Sequence, residues 1–266
     1  QQVLRELPKR QNDYAIPITM LVACYNEEGS VIHTVNSLLQ VNYPEFEVLV
    51  VNDGSKDNSL KVMIETFEMV EIAPSFPQVL PHTKIKAIYQ SKKVPHLRMI
   101  DKVNGGCKAD AMNAGIDASL YPLFCPLDGD TLLDKDCLTY LVQPFQEDPL
   151  TIACGGVCRI INGCLVTDGT LIEINAPKNL FALFQALEYM RAYHYVRVGW
   201  ESLDALPLIS GAIGLFKKEA VQEVNGYCRD THADDFEMIL KMHRLFTINE
   251  KPYRIAHAPK AVSWTE

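Results

Sequence analysis

No stretch of these 266 residues reaches the roughly 18 consecutive apolar residues that a membrane-spanning helix needs. The longest candidate, LPLISGAIGLF at 206–216, is too short and contains Ser210 and two glycines. No signal-peptide pattern is present. A basic stripe is missing too: 25 Lys and Arg against 33 Asp and Glu give a net charge of −8, which excludes phosphate-backbone binding and nucleic acid as a partner. The eight cysteines include no C-x-x-C pair, and Cys154, Cys158 and Cys164 have no His at zinc-finger spacing. In a chain of this length they read as reduced, mostly buried thiols of a reducing compartment. No two glycines stand at i and i+2, so the G-x-G-x-x-G dinucleotide fingerprint is absent. Gly106-Cys107-Lys108 lacks the upstream Gly and the following Ser or Thr of a P-loop, and no G-x-S-x-G elbow occurs. There is no internal repeat or low-complexity tract.

What is present is a core: 48% hydrophobic and 9% aromatic residues suffice for one large domain or two small ones. Ile18–Cys24 is a continuous apolar run of strand length, and Val31, Ile32, Val35, Leu38 and Leu39 follow at helical spacing with Ser30 as candidate N-cap. Phe46–Val51 repeats the strand signal, and a helix is expected near Asn58–Phe67. Fully apolar strands alternating with helices predict an α/β fold around a parallel sheet buried on both faces. The proline-bearing stretch 71–83 reads as an irregular excursion, Lys84–Tyr89 as a third strand and Lys108–Ala118 as a small-residue helix. Leu180–Tyr195 reads as a long amphipathic helix whose stripe Leu180, Leu183, Phe184, Leu187 and Met190 is core or a membrane-facing shoulder, and Phe236–Phe246 as a shorter helix.

Polar groups cluster where the apolar strands end. The run 122–136, PLFCPLDGDTLLDKD, holds two D-x-D triplets, and the aspartate content predicts about one in the whole chain by chance. Asp134 and Asp136 precede the helical spacing Leu138, Leu141, Val142, Phe145 and read as an acidic helix start. Asp128 and Asp130 instead close an apolar segment at the carboxyl end of a strand, where α/β sheets bind ligands, and Gly129 allows a sharp turn between them. Pro126 predicts an irregular strand end, since a central strand cannot use a residue without an N–H. Tyr25-Asn26-Glu27 and Asp53-Gly54-Ser55 likewise follow apolar strands, while Lys108 and Asp234-Asp235 precede helices. Converging on one rim, these carboxylates suit a hard divalent cation carrying a diphosphate. Simpler roles compete: Asp53 as a helix cap, Lys108 as a solvated charge, and Asp234 and Asp235 as an acidic first turn. His243, on the stripe Phe236, Ile239, Leu240, His243, Phe246, reads as a hydrogen-bonded core histidine, and Trp200 as an acceptor-stacking or a packing residue.

ACYNEEGSV, VVNDGSKDNS, NGGCKADAMNAG, LDGD, LISGAIGLFKKEAVQEVNGY, ADDFEMILKMHR and the closing SWTE occur in one order over residues 17–266. In that order the chain resembles the family 2 glycosyltransferases, specifically the processive, membrane-associated β-glycan synthases of cellulose, hyaluronan and poly-N-acetylglucosamine. The resemblance implies a GT-A (Rossmann-like) fold with a mostly parallel central sheet flanked by helices. It implies an inverting transfer from a UDP-sugar, of UDP-N-acetylglucosamine or UDP-glucose type, to a glycan acceptor. By resemblance, nucleotide-sugar contacts fall on Ala23, Tyr25, Glu27, Asp53, Lys108 and Asp128. A Mg²⁺ or Mn²⁺ falls on Asp128 and Asp130, acceptor contacts on Ser210, Gly211 and Asp234, and the general base on Asp235. Residues 1–16 are then an N-terminal arm before one catalytic domain at 17–266, with a nucleotide-sugar half to about 130 and an acceptor half from about 131. Asp234 stands where the family has Glu in T-E-D, and the downstream Q-x-x-R-W motif is missing. With a first residue of Gln1 rather than Met, this predicts a piece of a longer protein, on the cytoplasmic face of a membrane, with flanking transmembrane helices. Alternatives are a non-processive transferase acting on a lipid or protein, or a catalytically silent nucleotide-sugar-binding module. A nucleotidyltransferase would need a Gly-rich, Arg-containing N-terminal loop, which is absent.

Overall fold

The computed structural model describes residues 15–129, 131–167, 170–231 and 233–265. Asp130, Glu266 and nearly all of the expected N-terminal arm therefore lie outside the described residues. The chain runs β1 (Ile18–Cys24), α1 (Val31–Leu38), β2 (Phe46–Asn52), α2 (Ser59–Phe67), β3 (Met69–Ile72), β4 (Ile85–Ser91), β5 (Leu97–Lys102), α3 (Lys108–Ala118), β6 (Leu123–Leu127) and β7 (Leu132–Leu133). It continues through α4 (Cys137–Glu147), β8 (Thr151–Ile160), β9 (Leu165–Thr167), β10 (Thr170–Glu173), α5 (Leu180–Arg191), α6 (Arg197–Glu201), β11 (Gly214–Lys217), α7 (Lys218–Glu223), α8 (Asp234–Ile248) and β12 (Arg254–Thr265).

Among the described residues one ten-stranded sheet has the order β3-β4-β5-β2-β1-β6-β11-β8-β12-β7, and β9 and β10 form a separate hairpin. The expected parallel sheet is its centre: β5, β2, β1 and β6 are parallel neighbours, while β3, β4, β11 and β7 pair antiparallel at the flanks. Along β1 the side chains alternate between two cores. Met20 and Val22 pack with α1, α2 and α4, and Leu21 packs with α3 and α8. That alternation is why an unbroken apolar strand signals burial on both faces. A fully buried Leu or Val contributes about 1.5–3 kcal/mol, so the centre of the sheet is the rigid platform for the loops at its carboxyl edge.

Helix α3 packs closely on that platform because several of its buried residues are small. Its Ala109, Ala111 and Ala114 are buried, and a Cβ on Gly115 would lie 2.2 Å from Leu21 Cδ1 and 3.0 Å from Val51 Cγ2. The low helix preference of Gly is offset by this close approach, which brings the helix N-terminus, and Lys108 with it, up to the strand ends.

The structure corrects several sequence expectations. Pro126 does not break β6, which pairs in register with β1 through Leu127. On its other flank β11 meets β6 only at Leu123 and Phe124, so the missing N–H of Pro126 deprives no ladder partner there. Ser30 occupies the N-cap position of α1 but makes no capping hydrogen bond; its hydroxyl donates to Glu27 instead. Asp134 and Asp136 precede α4 rather than forming its first turn, and Asp136 accepts from Asn42 Nδ2 at 2.9 Å. The stripe on α5 is not core: Leu180, Phe184, Leu187 and Met190 are more than half exposed, and Leu183 is 37% exposed. The helical run continues past Arg191 through a π-helical turn at Ala192–Val196 into α6. Among the described residues no helix is long and apolar enough to cross a membrane.

Candidate active site

The carboxyl ends of β1, β2 and β6 open onto a cavity of about 630 Å³. Ala23, Tyr25, Glu27, Asp53, Lys108 and Asp128, the residues marked for the nucleotide sugar, all line it. Asn104, Cys107 and Thr265 also line it; they lie in the quoted stretches NGGCKADAMNAG and SWTE, but the sequence assigned none of them a role. Thr265 arrives at the end of β12, a strand whose mixed polarity gave no clear periodic signal.

Two loops lace together to hold this wall. Asn26 adopts a left-handed backbone with φ 58°, a conformation Asn tolerates better than most residues. Its N–H donates to Ser55 Oγ at 3.0 Å, and Lys56 N–H donates back to Asn26 Oδ1 at 2.8 Å. Glu28 N–H donates to Asp57, while Asn58 donates to Glu28 through its backbone at 3.1 Å and through Nδ2 at 3.0 Å. Tyr25, Glu27 and Asp53 are thereby fixed relative to one another. Asp53 is no helix cap: Asn58 takes the N-cap position of α2, and the N–H of Ser59 is satisfied by Asp57.

Lys108 opens α3 and forms an ion pair with Asp128 across the cavity, so it is not a solvated charge. Burial alone would lower its pKa, but the attraction of Asp128, then of Asp235 and Asp234, raises it instead. The loop after Asp128 is tied to α1, whose Thr34 hydroxyl donates to the Gly129 carbonyl.

Asp234 and Asp235 do form the acidic first turn of α8, yet that is not all they do. Asp235 Oδ2 accepts the N–H of Gly211 at 2.7 Å, and a Cβ on Gly211 would lie 2.7 and 2.8 Å from the two carboxylate oxygens. Burial holds the Asp235 carboxyl above its ordinary range. Lys108 opposes that shift, and Asp234 and Asp128 reinforce it. These mutual effects bring Lys108, Asp128 and Asp235 into one electrostatic cluster, although 127 residues separate the first from the last. Ser210 adjoins it, bridged to Ile213 and within 3.5 Å of Cys158 Sγ. Tyr227, buried beneath the cluster, has its phenol held strongly neutral by burial and by Asp235 and Asp234.

The donor set is one of hard oxygen atoms, which fits a divalent cation bound with phosphate. Among the described residues no three His, Cys, Asp or Glu side chains alone close around an ion; Asp128 lines the cavity, and its expected companion Asp130 lies outside the described residues. All eight cysteines are free and five are buried. Cys24 lines the cavity, but burial and Glu27 push its thiol up to about 12, so it is no nucleophile. His243 is a core histidine, bonded to Tyr253 Oη at 2.7 Å and to the Leu206 carbonyl at 2.9 Å. Trp200 is about half exposed.

Comparison with known proteins places this geometry. The model of the glycosyltransferase-like family 2 matches residues 16–266. A poly-β-1,6-N-acetyl-D-glucosamine synthase of Staphylococcus epidermidis is 29% identical over 259 residues, covering 97% of this chain and 52% of that protein. A synthase of the same name from Staphylococcus aureus strain MSSA476 is 27% identical over 261 residues, with 98% and 52% covered. This chain thus spans about half the length of the curated relatives it matches. Among solved structures, a Pyrobaculum calidifontis mannosyltransferase in complex with GDP-Man and Mn²⁺ superposes with a TM-score of 0.63 at 20% identity, over 93% of this chain and 56% of that one. S. aureus TarS 1-349 gives 0.57 at 17% identity, over 94% and 60%.

Proposed function

The chain belongs to the glycosyltransferase-like family 2, and from that premise we propose that it transfers a sugar from a UDP-sugar, of N-acetylglucosamine or glucose type, to a growing β-linked glycan with inversion. The observation that carries this reading is the convergence of Lys108 and Asp128 with Asp235, seated against Gly211, beside one cavity.

In this reading the lower half of the chain, to about 130, receives the nucleotide. Tyr25, Glu27, Asp53 and Lys108 face the base and ribose. Bound by Asp128 and Asp130, a Mg²⁺ or Mn²⁺ would neutralise charge on the leaving diphosphate. Ser210, Gly211 and Asp234 line the path of the acceptor. Asp235 takes the proton of an acceptor hydroxyl as that oxygen bonds to the anomeric carbon. The bond from that carbon to the diphosphate breaks on the opposite face, and UDP leaves with the electron pair. A carboxylate whose proton affinity is raised by burial is a better base for this step.

The remainder of the protein, in the same reading, supplies transmembrane segments, so that this domain works at the cytoplasmic face of a membrane. Support comes from the exposed apolar face of α5 and from the relatives' doubled length. The test is a transfer assay with UDP-N-acetylglucosamine and UDP-glucose, a β-linked oligosaccharide acceptor and Mn²⁺, reading UDP release and product anomer. Acceptor-dependent UDP release with a β-linked product is expected; retention of the α-configuration, or no release with either donor, refutes the proposal.

A further inference from the structure

Lys102, the last residue of β5, is completely buried, and its ammonium group has three acceptors for its three N–H bonds: Asp53 Oδ1, Asp110 Oδ1 at 2.5 Å and the Val103 carbonyl at 2.9 Å. Asp110 is shared in turn with Arg229 Nε at 3.2 Å and with the N–H and hydroxyl of Thr83. Buried Lys102 thus lies between two buried carboxylates, and the more exposed Arg229 supplies a second positive charge to Asp110, so the buried charges are paired. Of these residues only Asp53 reaches the cavity.

Resting on the transferase reading, we propose that Lys102 is a positioning residue that sets which base the site accepts. Asp53 Oδ1 takes Lys102 and also the N–H of Gly105 at 3.0 Å, so the carboxylate cannot rotate. Among the described residues no protein donor reaches Oδ2, which is left as a single acceptor at the cavity wall. Uracil offers one imide N–H between two carbonyls and needs one such acceptor. Guanine offers two adjacent donors, N1–H and the N2 amino group, and is matched by a carboxylate presenting both oxygens. Holding Oδ1 inward therefore favours uracil over guanine, a choice the fold by itself does not make. Lys102 touches no ligand and acts through Asp53.

The test compares UDP and GDP by calorimetry with Mn²⁺ present. Lys102→Met removes the cation between Asp53 and Asp110, so it is paired with Asp110→Asn, which removes one of those two carboxylates with it, and each variant is checked for a native melting transition before binding is read. The unaltered chain is expected to bind UDP at least tenfold more tightly than GDP, and the double variant to narrow that ratio about tenfold, because Asp53 is then held inward only by the Gly105 N–H and can turn both oxygens outward. Asp110→Asn alone, which retains Lys102 on Asp53, keeps the original ratio. A folded double variant with an unchanged ratio, or an unaltered chain that binds GDP as tightly as UDP, overturns the inference while sparing the transferase reading. A chain that binds neither nucleotide overturns both.

Discussion

Gly211→Ala isolates the placement of Asp235 from its chemistry. The new Cβ would lie 2.7 and 2.8 Å from the carboxylate oxygens, where ordinary contact begins at 3.4 Å, so the carboxylate must retreat by about 0.7 Å. Gly211 does not have a positive φ, so alanine brings no backbone strain, and the crowded atoms are the free end of one side chain. Stability is therefore expected to change by less than about 1 kcal/mol, as for substitutions that create neither a cavity nor a buried unpaired group. Turnover is another matter, because misplacing a reacting group by about 1 Å can lower rate ~100-fold. The expected result is a kcat reduced ~10- to 100-fold, with UDP affinity and melting temperature close to those of the unaltered chain. The assay is acceptor-dependent UDP release under saturating donor, accompanied by calorimetry with UDP and Mn²⁺. Turnover at the original rate would show that the position of Asp235 is immaterial and remove it as the base. A loss confined to UDP affinity would instead move Gly211 to the donor side.

Asp235→Asn should fold and bind UDP nearly normally but transfer at least ~100-fold more slowly, while Asp234→Asn is milder; the reverse ranking in the same assay shifts the base by one residue. UDP binding should depend on Mn²⁺, because Asp128 otherwise repels the diphosphate, and equal calorimetric affinity in excess chelator would remove the metal role. Because burial raises the Asp235 pKa, the acid limb of the rate profile should lie above the ordinary carboxylate pKa of about 3.9, and Lys108→Met, by removing a lowering charge, should move it higher still. His257 is buried neutral, its pKa pushed down to about 4 by burial, so the unfolded state binds the extra proton between about 6.5 and 4. Stability should fall as pH drops through that window by up to a few kcal/mol, roughly; thermal melts of His257→Gln that keep the same slope would refute the assignment.

The centre of the fold was legible because unbroken apolar strands have few alternatives. β1, α3 and the start of β2 fall where the runs Ile18–Cys24, Lys108–Ala118 and Phe46–Val51 put them. What escaped notice lacks that signal. β8 contains two glycines and two cysteines, and β12 carries a proline, a lysine and a histidine, yet both are largely buried. A Cβ on Gly156 would meet Ile213 at 2.4 Å and the Ala261 carbonyl at 2.8 Å, so packing needs, invisible in a linear pattern, chose the glycine. The α5 stripe shows the opposite failure. Helical spacing of apolar residues reports that a face is apolar, not that this chain covers it, and here the face is open.

The site was legible for a different reason. Tyr25, Asp53 and Asp128 each end an apolar strand, and a parallel sheet sends all such ends to one rim whatever loops intervene. Asp235 follows no strand and could not be placed by that rule; it reaches the cluster because α8 docks beside Gly211, a contact between positions 24 residues apart. Lys102 was least visible of all, a lysine at the end of the buried segment LRMIDK with nothing nearby to mark it. Its role follows only from the three acceptors around its ammonium. The strand ends supply the acidic surface, and tertiary contacts decide how each carboxylate is used. Lys102 holds Asp53 as a fixed acceptor, Lys108 keeps Asp128 paired, and Gly211 leaves room for Asp235 at a raised pKa. In the proposed reading, chemically identical side chains serve as base reader, diphosphate-end ligand and proton acceptor within one cleft, because each has a different cation or amide opposite it.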